Sequence, residues 1–236
     1  TFENDLEVTL YAADGSTVLV EQVAVDASGH FAATVGHYTG VVIARLVNKG
    51  SQADYLDEAT NTRKDLNAEL KTAGVVPAAN TTLNLNLNVL TTLAVMKLGD
   101  DHSAANVDAV NAAVAQAFGL SALQGTAVVA SNRGTYSATD GLSEGEKYGA
   151  ILAGLSGVDK LNGGSVQDTI DSIASQLTVT GSTGSLSEAG KYEIAAGAKT
   201  VMALSSNQEL LNGGSTSFGD ALAALIDYSA NPLTQD

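Results

Sequence analysis

Asp54, Asp57 and Glu58 are the densest acidic group in the chain, set in the polar stretch SQADYLDEATNTRK at 51–64. A hard ion such as Ca²⁺ takes about six to eight oxygen ligands, many of them carboxylate. That makes Asp54, Asp57 and Glu58 the candidate calcium ligands. They lack the spacing of an EF-hand loop, and the same residues also describe a solvated acidic loop. Asp100, Asp101 and His102 have metal-ligand chemistry too, but they precede a helical pattern, where acids act on the helix dipole without a metal. His30 and His37 flank one expected strand and project to opposite faces of it. The remaining polar motifs carry less. No G-x-S-x-G or G-x-G-x-x-G occurs, and the two LNGGS segments at 161–165 and 211–215 are followed by no phosphate-loop lysine, so they read as helix breakers. Lys49 and Lys64 are candidate donors for a Lys–Asn isopeptide bond, with no acceptor assignable. Asn84, Asn86 and Asn88 form a polar ladder along one strand face, the wet face of a sheet or a surface for a sugar or an adjoining module.

Composition narrows the setting. The 236 residues carry a net charge of −15 with a pI near 4.3, which disfavours nucleic acid and anionic lipid surfaces as partners. There is no cysteine, so disulfides and thiolate metal sites are excluded. With 44% hydrophobic residues but only 5% aromatics and no Trp, the core must be aliphatic, rich in Ala, Val, Leu and Ile. No apolar run is long enough to span a membrane. The start, TFENDLEV, reads as a processed product or a segment of something longer.

The elements that must position these residues divide near Leu90. Before it, apolar residues alternate with polar ones: Leu6, Val8, Leu10; Phe31, Ala33, Val35; Leu83, Leu85, Leu87 and Val89. Asp14-Gly15 and Asp26 to Gly29 supply turns, and VVIARLV at 41–47 is a near-continuous apolar strand. Short strands with regular turn signals predict an antiparallel β-sandwich over residues 1–90. The stretch 48–76 reads as a long excursion over its edge, with a short helix at 65–73. After Leu90 the period becomes helical. Helices are expected at 90–99 and 104–118, the second capped by Ser103 or Asp101.

An internal duplication follows. LSEGEKY at 142–148 matches LSEAGKY at 186–192, and the two LNGGS segments match each other. Ser143 with Glu146 is a capping box for a helix ending near Leu161, and Ser165 opens the next, to Leu177. In the second copy Ser187 caps a helix expected to end near Leu211, and Ser217 starts one reaching Tyr228. The tract 178–185 reads as a polar linker. Residues 91–236 are thus expected to form a helical bundle containing a duplicated helical hairpin, giving an α+β chain.

The segments VTLYAADGSTVL, VAVDASGHFAATV, VVIARLV, ADYLDEATN and LNLNLNVLTTLAVMKL resemble a module of very large bacterial cell-surface and adhesin-type proteins. In those, an immunoglobulin-like or carboxypeptidase-regulatory-like sandwich precedes a helical segment. The junction there usually reads Asn-any-Pro-Leu-Thr-Thr-Leu-Ala; here Asn88 to Ala94 keeps Leu-Thr-Thr-Leu-Ala without the proline. The resemblance brings no catalytic residues. It implies a non-enzymatic extracellular module at the bacterial cell surface, for adhesion, ligand presentation or spacing. Its partners would be other copies or modules of the same assembly, or a glycan or protein ligand. A self-assembling subunit of an extracellular filament or surface layer is the first alternative, and an enzyme with a dispersed site the second.

Overall fold

The computed structural model describes residues 6–25, 30–129, 142–204 and 216–226. The chain is α+β, with antiparallel strands in its N-terminal half and helices in its C-terminal half. Strands β1 (Leu6–Ala12), β2 (Val18–Ala24), β4 (Gly40–Asn48) and β7 (Leu70–Val76) make a four-stranded sheet in the order β2-β1-β4-β7. Strands β3 (His30–Thr34) and β8 (Thr82–Asn86) pair with each other, as do the short β5 (Tyr55–Asp57) and β6 (Thr62–Lys64). Among the described residues the helices are α1 (Val89–Lys97), α2 (Ala104–Ala117), α3 (Glu144–Leu161), α4 (Val166–Gln176), α5 (Glu188–Met202) and α6 (Thr216–Ile226). Between α4 and α5 lies a hairpin of β9 (Leu177–Thr180) and β10 (Thr183–Leu186).

Alternation decides which faces are buried. Val8 and Leu10 of β1 point inward, as do Phe31 and Ala33 of β3 and Leu83 and Leu85 of β8. Phe31 sits opposite Leu85 and Ala33 opposite Leu83, so the β3–β8 pair presents one apolar face. That face lies on β7, where a Cβ at Gly74 would come within 2.8 Å of Leu85 Cδ2. Strand β4 is buried on both sides through Val41, Val42, Ile43 and Ala44. The β1–β2 turn is held by Asp14, which accepts from the backbone N–H groups of Ser16 and Thr17 and from the Thr17 hydroxyl. The Thr17 hydroxyl, with those two N–H groups, holds the Asp14 carboxyl down at about 2. The buried apolar residues form one cluster that continues from the sheet half through Leu90 and Leu93 into Tyr148, Ile170 and Ile194.

Serine caps begin four of the helices where the side chains predict, while the last helix starts at Thr216, ahead of Ser217. Ser143 and Glu146 form the capping box of α3, Ser103 caps α2, Ser165 caps α4 and Ser187 caps α5. The repeated LSE segments also set the same ion pair one turn in, Lys147 with Glu144 and Lys191 with Glu188. Yet Tyr148 is fully buried and Tyr192 is 59% exposed. Helices α3 and α5 meet through glycines: a Cβ on Gly157 would stand 2.0 Å from the Gly197 carbonyl oxygen.

Several local expectations are corrected. The helix expected at 65–73 is absent: Leu70–Val76 is a strand paired with β4, Leu46 opposite Leu70 through Gly40 opposite Val76. The edge of β4 supplies a full ladder of backbone partners to the extended chain. The tract 178–185 is not a linker but most of the β9–β10 hairpin, turning through Gly181 at φ +58° between paired Thr180 and Thr183. Strand β8 stops at Asn86, because Asn88 is needed as the cap of α1. Helix α5 stops at Met202 rather than near Leu211, with Ala203 as its C-cap. The second LNGGS segment and Tyr228 lie outside the described residues.

Candidate functional site

The chemistry-bearing residues that the fold brings together lie where the β5–β6 hairpin meets α3. The hairpin turn runs through Asp57 to Thr60, and Asn61 takes a left-handed conformation at φ +52°. Asn tolerates that region better than most residues because its short amide bonds locally. The turn folds Asp57 inward until it is 1% exposed. Its Oδ1 accepts from the Ala59 N–H at 3.0 Å and from the Ser156 hydroxyl. Its Oδ2 accepts from the Thr60 hydroxyl at 2.6 Å and pairs with the Lys64 ammonium. Burial pushes the Asp57 carboxyl up, but Lys64, Ser156 and Thr60 outweigh it and hold the group below its ordinary value of 3.8.

Helix α3 supplies the other side. Ser156 and Lys160 are four residues apart and share a face, with Asp159 beside them. The Lys160 ammonium donates to the Ala59 carbonyl at 3.0 Å, and the Ala59 N–H also reaches Ser156 Oγ at 3.1 Å. Asp159 is 7% exposed, and burial pushes its carboxyl up to about 6, with the Asp57 carboxylate adding to the shift. Tyr55 is pushed up as well, by burial first and then by the carboxylates of Asp159, Asp57, Glu58 and Asp54.

The three calcium candidates are thus placed differently. Asp57 faces inward onto Lys64 and Ser156. Asp54 accepts from Asn48 Nδ2 at 3.1 Å and from the Leu66 N–H at 2.8 Å, closing the base of the loop. Glu58 is half-buried beside the turn. Among the described residues no three His, Asp or Glu side chains gather as a metal-holding group. His102 places Nδ1 2.6 Å from the Ala13 carbonyl and Nε2 3.1 Å from that of Gly99. Both isopeptide candidates face carboxylates: Lys64 that of Asp57, and Lys49 that of Glu7 at 4.0 Å.

A Ser, a Lys and two Asp in one place have the types of a nucleophile and its base. Their arrangement is a clamp. The Ser156 hydroxyl is directed at a buried carboxylate that already receives other donors, so Asp57 serves as the common acceptor of the turn. The signal that sequence reading missed was not Asp57 itself but its partner: Ser156 is 99 residues away and carries no motif.

A second junction joins the halves. Asn88 Oδ1 accepts from the N–H groups of Leu90 and Thr91, at 2.9 and 3.2 Å, and Thr91 Oγ1 accepts from the Asn88 N–H. Asn88 Nδ2 donates to the buried Tyr148 hydroxyl at 3.0 Å. The Asn ladder is therefore divided: Asn84 is exposed, Asn86 is buried and donates to the carbonyls of Leu123 and Thr126, and Asn88 caps α1. Thr91 and Thr92 then close the outer edge of β7, Thr91 donating to the Lys71 carbonyl at 2.8 Å and Thr92 accepting from the Lys71 N–H at 2.9 Å. Asn111 Nδ2 takes the next free carbonyl, Ala73, at 3.1 Å. An apolar depression bordered by Phe118, Leu142, Ile151 and Leu225 also holds Lys147, which is paired to Glu144. No helix among the described residues is long and apolar enough to cross a membrane.

Comparison of the chain with protein-family models, with curated proteins and with solved structures yields no match in any of the three.

Proposed function

We propose that this chain is a non-enzymatic module of an extracellular bacterial surface assembly, acting as a spacer that presents a ligand surface or neighbouring modules. In this reading the β3–β8 pair and the four-stranded sheet act as a small sandwich, and the paired α3 and α5 segments are a duplicated helical unit. The observation that carries it is the double fastening of sheet to helix. Asp57–Ser156 and Asn88–Tyr148 join polar groups of one half to the other, Asp57, Ser156 and Tyr148 being buried and Asn88 half-buried. A unit so fastened resists separation of its halves, which is what a spacer needs and what a hinged enzyme cleft would avoid. Its partners are other copies or modules of the assembly, or a glycan or protein ligand.

One observation weighs between this and the filament alternative. With β7 closed by Thr91, Thr92 and Asn111, the sheet's other edge is β2. That strand carries Glu21 and a left-handed Gln22 at φ +59°, with irregular pairing to β1. Charges and bulges on an edge oppose strand addition from another copy. Size-exclusion chromatography with light scattering and electron microscopy test the reading. A monodisperse monomer across concentrations supports the spacer; ordered fibres or sheets overturn it in favour of assembly. A calcium titration followed by melting checks the acidic loop, since an ion bound to the native state raises Tm. The spacer reading expects no rise.

A further inference from the structure

The hairpin–helix junction contains a buried carboxyl, that of Asp159, whose Oδ1 completes no full hydrogen bond. The Thr169 hydroxyl of α4, itself fully buried and otherwise without a partner, turns toward Asp159 and favours its ionised form, but burial and the Asp57 carboxylate outweigh it. We propose that Asp159 is a proton-operated latch: protonated, it lets the β5–β6 hairpin seat fully on α3, and ionised, it loosens that seat.

The geometry supplies the reason. Asp159 lies in the last turn of α3 between Ser156 and Lys160, the two residues that hold the hairpin. The groups facing it from the hairpin are the Asp57 carboxylate, the Lys64 ammonium and the Tyr55 phenol. Asp54 and Glu58 add negative charge around Tyr55 on the same hairpin. From α4 it meets Thr169, while the carboxylates of that helix, Asp168 and Asp171, are exposed. On α5, Glu193 is taken by Ser172 and Gln176. Lys64 is therefore the cation that both Asp57 and Asp159 feel, and Asp57 holds it. A negative Asp159 then stands buried, with an unfilled oxygen, near a second carboxylate, a costly state. A neutral Asp159 relieves the repulsion and gains an O–H to donate. Burial places this change near pH 6, against an ordinary value of 3.8.

The sign follows. A carboxyl whose folded value is raised binds more protons folded than unfolded, so the latch tightens as pH falls through about 6 and weakens as pH rises through it. This proposal acts on one of the two fastenings that carry the spacer reading, the Asp57–Ser156 seat, and leaves Asn88–Tyr148 in place at either pH; hairpin exchange tests the latch and oligomeric state tests the spacer, so either can fail alone.

The test compares wild type with D159N, an isosteric neutral mimic, by hydrogen exchange of amides 55–64 between pH 5 and 7.5, corrected for intrinsic rates. In wild type, hairpin opening is expected to be on the order of tenfold more frequent at the higher pH. In D159N that pH dependence is expected to vanish, with protection at pH 7.5 matching wild type at pH 5. Parallel behaviour of the two proteins overturns the latch. If D159N does not fold, a carbon-detected NMR titration of the Asp159 carboxyl in wild type decides. A midpoint near 6 with coincident shifts in Tyr55 and Ala59 supports the proposal, and an ordinary midpoint, or no coincident shifts, overturns it.

Discussion

Ser156 Oγ donates to Asp57 Oδ1, joining a helix to the turn of a hairpin of two three-residue strands across 99 positions of chain. Both residues are buried, so neither group has water to fall back on. A hydrogen bond to a charged group is worth about 1.5–3 kcal/mol. Ser156→Ala is expected to lower the stability by that amount in urea denaturation. Asp57→Ala should cost more, because it leaves Lys64, Thr60, Ala59 and Ser156 without their common acceptor. Equal stability of wild type and Ser156→Ala would show the bond to be idle.

Lys64 sets the acid limit of the same site. The Asp57 carboxyl is held below its ordinary 3.8 in the folded chain, so its contribution is complete above that value and is lost as pH falls through the lower, folded one. Lys64→Gln removes the opposing charge and raises the folded value. The acid-unfolding midpoint followed by circular dichroism is expected to move to higher pH, while Arg63→Gln, on an exposed neighbour, should leave it in place.

Gly157 faces the Gly197 backbone, and a methyl group there would sit 2.0 Å from the carbonyl oxygen. Backbone cannot rotate out of the way as a side chain does, so α3 and α5 must separate. Gly157→Ala is expected to destabilise by about 3 kcal/mol or more, despite the better helix propensity of alanine. A thermal melt reads the loss. Gly163→Ala, in open space but at φ +84°, should cost only the backbone strain, about 1 kcal/mol.

Thr91 and Thr92 act on β7 as an adjacent strand would. Thr92→Val keeps shape and removes the acceptor for the Lys71 N–H, at an expected cost of about 1–3 kcal/mol. Asn88→Ala loses the α1 cap, about 1–2 kcal/mol, and also the Tyr148 contact. Faster exchange of the Lys71 amide in Thr92→Val, with the β4 amides unchanged, identifies the edge bond as the cause.

The strands that read cleanly were those with one buried face. Val8 and Leu10, Phe31 and Ala33, Leu83 and Leu85 each repeat every second residue and point inward. The helix starts read cleanly because Ser103, Ser143, Ser165 and Ser187 bond to amides only three residues on. Strand β7 did not, because Leu66, Leu70 and Ala73 fall at helical intervals and only the neighbouring β4 makes the extended form better. The β9–β10 hairpin was hidden by its Gly, Ser and Thr content, and Gly184 finds its purpose only against Ala113, where a Cβ would stand 1.9 Å from the carbonyl oxygen.

The amino-acid order by itself determined the change from a two-residue to a 3.6-residue period near Leu90, the caps, and an acidic, cysteine-free surface. These depend on interactions within a few residues or on simple sums over the chain. Whether Asp57 meets a cation from solvent, a lysine or a serine was decided only by the tertiary structure. A carboxylate's role follows from the charges and donors around it, and for Asp57 and Asp159 the deciding ones include groups about a hundred residues away in sequence.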